Sequence, residues 1–210
     1  SGMTPGDSDR RHIFRVALDR PRPVALTAGT ALEWTPVHAG GGKIAYVAAA
    51  PAGAMGVVLV DQQGRGVKDL TRAHLGVPVR VAPKPVTFTA EDGVQVHGQL
   101  FLPPEGVGRH PALVFVHGGP ARQMLLGWSD VEYYAHTYAM NQYYAARGYV
   151  VLSVNYRLGI GYGRAFQYAK AAGLAGNSEY RDVIAAARFL QARAEVDPAR
   201  IGIWGGSYGG

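Results

Sequence analysis

The spacing of apolar positions changes once along the chain. Up to about residue 78, apolar residues come in short runs broken by Gly, Pro and Asp, the pattern of strands joined by tight turns. The runs are His12–Leu18, Pro23–Thr27, Glu33–Val37, Lys43–Ala49, Gly56–Val60 and Val67–Leu70. Within Lys43–Ala49, Ile44 and Tyr46 fall on one face. Gly40-Gly41-Gly42 and Asp61-Gln62-Gln63-Gly64 supply turns. Val77–Pro85 holds Pro78, Pro83 and Pro85, shows no period, and reads as a linker. Beyond it, Pro85–Thr89 and Val94–Leu102 read as two strands joined at Glu91-Asp92-Gly93. Ala112–Val116, Tyr149–Val154 and Arg200–Trp204 are short apolar runs suited to buried parallel strands. Three helices fall between them. Asp130 is placed to cap one that ends at Gly148, and Gly163 to about Ala172 is a second. Asn177 is placed to cap a third, in which Tyr180, Val183, Ile184, Ala187 and Leu190 recur at helical spacing.

A hairpin followed by strand, helix, strand, helix, strand argues for an α/β sheet. It matches the first five strands of an α/β-hydrolase. In the earlier region, His12–Asp19 leading to Val24–Thr27 echoes Val57–Asp61 leading to Val67–Thr71. The offset from Thr27 to Thr71 is about 44 residues, near the ~40–45 of one four-stranded propeller blade. The alternative is the edge of a β-sandwich. The fold expected is therefore α/β: residues 79–210 as the N-terminal portion of an α/β-hydrolase domain, preceded over 1–78 by the last blade or blades of a β-propeller.

Composition narrows the function classes. Of 210 residues, 48% are hydrophobic and 17% charged, which suits a buried core and not disorder. The net charge is +6, but the basic residues are scattered, so no nucleic-acid partner is expected. Without cysteine there are no disulfides and no thiolate metal sites. No stretch approaches the ~20 apolar residues of a membrane span. No metal or cofactor is expected. Ser1-Gly2-Met3 reads as a cut end, or as a start residue behind a short scar, and indicates no compartment.

The chemistry lies at the far end. Gly205-Gly206-Ser207-Tyr208-Gly209 fits the G-x-S-x-G nucleophile elbow. Gly is 29 of 210 residues, so the bare pattern is weak, with a chance occurrence of about once in ten such chains. Its place directly after an apolar strand strengthens it. A Gly-rich turn with an ordinary serine is the alternative. The second motif, His117-Gly118-Gly119-Pro120, follows the Ala112–Val116 strand. Acyl transfer needs backbone N–H donors where an oxyanion develops, and Gly118 and Gly119 carry no Cβ to block that approach. The tyrosine-rich stretch from Trp128 to Tyr149 reads as helix core or as pocket lining.

With these motifs the chain resembles the prolyl oligopeptidase family of serine peptidases, closest to its dipeptidyl-peptidase and acylaminoacyl-peptidase branches. The residues that carry the likeness are 117–120, Gly148–Arg157, Gly159–Gly163, Asp197–Gly202 and Trp204–Gly210. The resemblance implies Ser207 as nucleophile, Tyr208 N–H and Gly119 N–H as oxyanion donors with Gly118 a further candidate, and short peptides as substrates. It assigns no side-chain donor to His117, and gives Asn155-Tyr156-Arg157 a part in shaping the cleft. It also places the partner Asp and His after the serine, so the chain is expected to be a fragment, inactive and poorly stable alone, its fifth strand left with a bare edge. His12, His38, His74, His97, His110, His117 and His136 all precede Ser207, and none is expected to act as base. An esterase on the same fold, or a propeller binding protein with a degenerate hydrolase domain, are the alternative functions.

Overall fold

A computed structural model of the chain describes residues 1–53, 55–71, 81–104, 108–173 and 177–210. It divides into two compact units, Ser1–Arg80 with Leu126–Tyr138, and Val81–Leu125 with Ala139–Gly210.

In the first unit β1 (Gly2–Thr4) pairs with β2 (Asp7–His12), and β3 (Phe14–Arg15) with β4 (Val24–Ala25). Four strands then form an antiparallel meander in chain order: β5 (Leu32–His38), β6 (Lys43–Ala49), β7 (Met55–Asp61) and β8 (Lys68–Asp69). Gly40, Gly41 and Gly42 all take positive φ to turn β5 into β6. Ile44 and Tyr46 do share a face, packing with Ile13, Val58 and Val60. Polar residues are buried there too. His12 Nδ1 lies 2.7 Å from Glu33 Oε2, and the Thr27 hydroxyl donates to the same oxygen at 3.0 Å. The β1–β2 pair escapes the sequence reading because its residues are mostly polar and do not alternate. Residues 77–80, where the linker begins and the expected boundary falls, lie outside the described residues.

The second unit carries β9 (Lys84–Thr89), β10 (Gln95–Phe101), β11 (His110–Val116), the later part of α1 (Glu132–Ala146), β12 (Val150–Asn155), α2 (Arg164–Gln167), α3 (Ser178–Gln191) and β13 (Val196–Gly205). The sheet order is β13-β11-β12-β10-β9. β11 runs parallel to both β12 and β13, while β9 and β10 form the antiparallel hairpin. Side chains alternate across the parallel strands. Val114, Val116, Leu152 and Val154 pack with Ala185, Ala186 and Leu190 of α3. On the opposite parity, Phe115 meets Trp204 at 4.6 Å between ring centres, and Trp204 meets Tyr144 of α1 at 5.9 Å. Of the tyrosine-rich stretch, Trp128, Tyr134 and Tyr138, which belong to the first unit, are buried, whereas Tyr133 and Tyr143 are exposed.

Three helix expectations need correction. The Val131 N–H is accepted by the Ser129 hydroxyl, not by Asp130, and α1 starts at Glu132. The helix expected after Gly163 is a single turn. Asn177 does stand at the N-cap of α3, but in the left-handed region (φ 55°) and with no side-chain cap bond. Tyr180 is 61% exposed, and the buried stripe runs Ser178, Asp182, Ala185, Ala186, Leu190. The helix is rotated from its purely apolar face because Asp182 is drawn inward by Arg157.

Candidate active site

The parallel strands decide where a site can form. From β11 the chain crosses to β12 on one side, then returns through α3 to β13 on the other side of β11. Open α/β sheets bind ligands outside the carboxyl ends of the strands at such a reversal. The β11–β13 register pairs Val116 with Gly205. The segments that follow these two residues, 117–120 and 206–209, therefore emerge side by side.

The turn after β13 is tight. A 3-10 turn covers Ser207–Gly209, with Gly209 N–H donating to Gly206 O and Gly210 N–H to Ser207 O, both at 3.1 Å. Ser207 holds φ 57°, a left-handed conformation costly for a residue with a Cβ. Strain of this kind concentrates at functional sites. Gly205 and Gly209 are needed for space. A Cβ on Gly205 would fall on the carbonyl oxygens of Gly209 and Val116, and one on Gly209 on those of Val116 and His117. Ser207 is exposed, and among the described residues none is hydrogen-bonded to its hydroxyl. The Tyr208 hydroxyl donates to Glu179 Oε1 of α3 at 2.6 Å. That bond raises the Tyr208 phenol pKa. Burial works to raise the Glu179 pKa, yet the Tyr208 hydroxyl and the backbone N–H groups bonded to it leave its carboxyl lowered.

The loop after β11 is held from several directions. Gly119 takes φ 48°, which glycine adopts freely. His117 is fully buried, its Nδ1 3.0 Å from the Gly118 carbonyl oxygen. A carbonyl can only accept, so the neutral ring carries its proton on Nδ1. Burial pushes the His117 pKa down to about 4, so the ring is neutral near pH 7. The side-chain donor that the sequence could not assign to His117 is thus spent on its own loop.

The Asn155-Tyr156-Arg157 run at the end of β12 makes three separate attachments. Asn155 accepts from Met124 N–H at 2.8 Å and donates to Met124 O at 2.9 Å, pinning the far end of the loop. Tyr156 donates its hydroxyl to His117 O at 2.7 Å. Arg157 donates through Nε and Nη2 to buried Asp182, and through Nη1 to Asp92 in the β9–β10 turn. Burial disfavours the Arg157 charge, and the two carboxylates outweigh it, leaving its pKa raised. Sequence reasoning gave these residues only a general part in shaping the cleft. Asn155 also donates to the nearby Tyr162 hydroxyl at 2.8 Å, but Met124, His117, Asp182 and Asp92 lie 25 to 65 residues away, so no local signal could have named them.

The other histidines lie elsewhere. His12 pairs with Glu33, His97 stacks on Tyr162 at 3.9 Å, and His110 Nδ1 meets Gly148 O at 3.0 Å. His38 and His136 are exposed, and His74 lies outside the described residues. Among the described residues no cluster of His, Asp and Glu is placed to hold a metal, and no helix is long and apolar enough to cross a membrane.

Comparison with known proteins points the same way. Residues 135–210 match the profile of the prolyl oligopeptidase family. The uncharacterized peptidase YuxL of Bacillus subtilis is 37% identical over 132 residues, covering 61% of this chain and 18% of the relative. Dipeptidyl aminopeptidase BIII of Pseudoxanthomonas mexicana is 32% identical over 134 residues, covering 60% of this chain and 18% of the relative. Among solved structures, a puromycin-hydrolyzing peptidase of Mycobacterium tuberculosis superposes with a TM-score of 0.75 at 28% identity, over 96% of this chain and 31% of that one. The chain therefore spans less than a fifth of these curated relatives and about a third of that structure. The profile match takes in the Asn155-Tyr156-Arg157 run and the serine turn, and over that stretch the chain is similar to the prolyl oligopeptidase family.

Proposed function

We propose that the protein carrying this chain is a serine peptidase acting on short peptides through an acyl-enzyme on Ser207. The observation that carries the reading is the Val116–Gly205 register, which sets a strained serine turn beside a glycine loop. In the proposed reaction the Ser207 hydroxyl oxygen attacks the scissile carbonyl and gives its proton to a general base. The oxyanion that forms takes N–H donors from Tyr208 and Gly119, with Gly118 beside them. Collapse expels the amine, which takes a proton, and water then hydrolyses the ester. The base and its acid partner are assigned to no residue among those described. Peptides fit the names of the relatives, a dipeptidyl aminopeptidase and a puromycin-hydrolyzing peptidase. On this reading residues 79–210 are the N-terminal portion of the hydrolase domain and 1–78 the closing blade or blades of a propeller, a division supported by the four-stranded meander.

The test is active-site labelling. A fluorophosphonate is expected to label the protein at Ser207, and Ser207→Ala to lose labelling and about 10⁴-fold or more in kcat on dipeptide amides. Full activity in Ser207→Ala overturns the proposal. Turnover of esters without turnover of peptides would leave the nucleophile standing and remove the peptidase.

A further inference from the structure

Tyr156 touches both sides of the proposed oxyanion hole. It is 1% exposed, and its hydroxyl reaches the carbonyl oxygen of His117 at 2.7 Å. That carbonyl shares its peptide unit with the Gly118 N–H. In a planar trans peptide the C=O and N–H point in opposite directions, so holding one aims the other. Donation to the carbonyl also polarises the unit, which strengthens the N–H as a donor. The Tyr156 ring stacks on the His117 ring at 4.3 Å and 18°, the ring whose Nδ1 holds the next carbonyl, that of Gly118. It also stacks near the Tyr208 ring, at 6.4 Å and 22°. One buried side chain thus holds the first peptide of the glycine loop and abuts the residue that follows the serine.

We propose that Tyr156 is a positioning residue for oxyanion stabilisation: its hydroxyl fixes the His117–Gly118 peptide plane, and its ring keeps that loop in register with Tyr208. The inference rests on the acyl-transfer reading. It predicts a loss confined to the charged stage of the reaction, which a merely packed tyrosine would not give.

Tyr156→Phe in the protein at its full natural length keeps the ring and deletes the donor. Removing a whole oxyanion donor costs about 10²–10³ in kcat, and misaiming one is expected to cost about 10-fold, with KM changed less than about twofold. A peptide aldehyde, which forms the tetrahedral adduct, should weaken by the same factor while a product peptide binds as before. 3-Fluorotyrosine at position 156, a stronger donor of nearly the same shape, should raise kcat. Unchanged kcat and aldehyde affinity in Tyr156→Phe overturns the proposal, as does equal weakening of substrate, aldehyde and product. If the Phe variant does not fold, a fluorotyrosine protein no faster than the native one overturns it. Labelling of Ser207 in the unsubstituted protein separates the two readings. Its absence overturns acyl transfer and this role together, and its presence with an unaffected Phe variant overturns this role alone.

Discussion

Gly205 and Ser207 show opposite uses of the same turn. Gly205 does not need a left-handed backbone; it needs an empty Cβ position, because backbone carbonyl oxygens that cannot swing aside occupy the space. Gly205→Ala should destabilise the protein by about 2–3 kcal/mol, as overpacking does, and should abolish labelling of Ser207. Ser207 carries the reverse fault, a Cβ on a backbone at φ 57°. Ser207→Gly should therefore stabilise by about 1 kcal/mol while removing the proposed nucleophile. Paired denaturation curves test both signs, and a Ser207→Gly protein less stable than its parent would show that the turn is unstrained. His117 supplies a pH dependence. Its pKa falls from 6.5 to about 4 on burial. The unfolded chain then binds the proton more readily than the folded one. This contribution to stability is complete above about pH 6.5 and is lost as pH falls towards 4, by about 3 kcal/mol in all. Denaturation midpoints between pH 7 and pH 4 should fall less steeply in His117→Asn. Of these residues the sequence shows Gly205, Ser207 and the loop glycines, because motifs record backbone needs. It does not show the burial of His117, which depends on a tyrosine 39 residues away.

At the scale of elements, α3 is the clearest departure from a periodicity argument. The apolar spacing places Tyr180 inward, yet the stripe that meets the sheet contains Asp182. The reason is tertiary. Arg157, at the end of β12, donates three side-chain bonds and its own N–H to the Asp182 carboxylate, and a second carboxylate, Asp92, joins it from the hairpin turn. These contacts tie α3, β12 and the β9–β10 turn together behind the candidate site. Replacing Asp182 by Ala leaves a buried guanidinium with one partially exposed carboxylate, Asp92, and should cost about 3–5 kcal/mol. A chemical denaturation series on Asp182→Ala and Arg157→Ala checks this, and the double variant should be more stable than the sum of the two losses implies. Simple addition would show that the pair is uncoupled. The strands were more legible than the helices. A run such as Lys43–Ala49 is bounded by turns that the chain itself encodes, whereas the rotation of a helix is set by partners that lie elsewhere.

At the scale of the whole molecule, the position of β13 carries the main consequence. It leads into the candidate site and is also an edge strand, paired on one side with β11 alone among the described residues. Order within the sheet is fixed by the alternation of β11, β12 and β13 around a shared centre, which the sequence expresses only as three apolar runs without saying which two are neighbours. The edge is apolar. Ile203 is 62% exposed, and with Tyr180, Val183 and Ile184 of α3 it lines a groove of about 260 Å³ that continues to Tyr208. An unpaired strand end beside such an apolar groove is a template for a further strand or a second copy of the chain. A polypeptide of these 210 residues should accordingly self-associate at micromolar concentration, and its sedimentation should depend on loading concentration. Ile203→Lys places a charge on the edge, the device by which natural sheets resist such pairing, and should shift the polypeptide towards monomer without loss of helix or strand signal. A parent chain that sediments as a monomer at all concentrations would show that the edge does not pair.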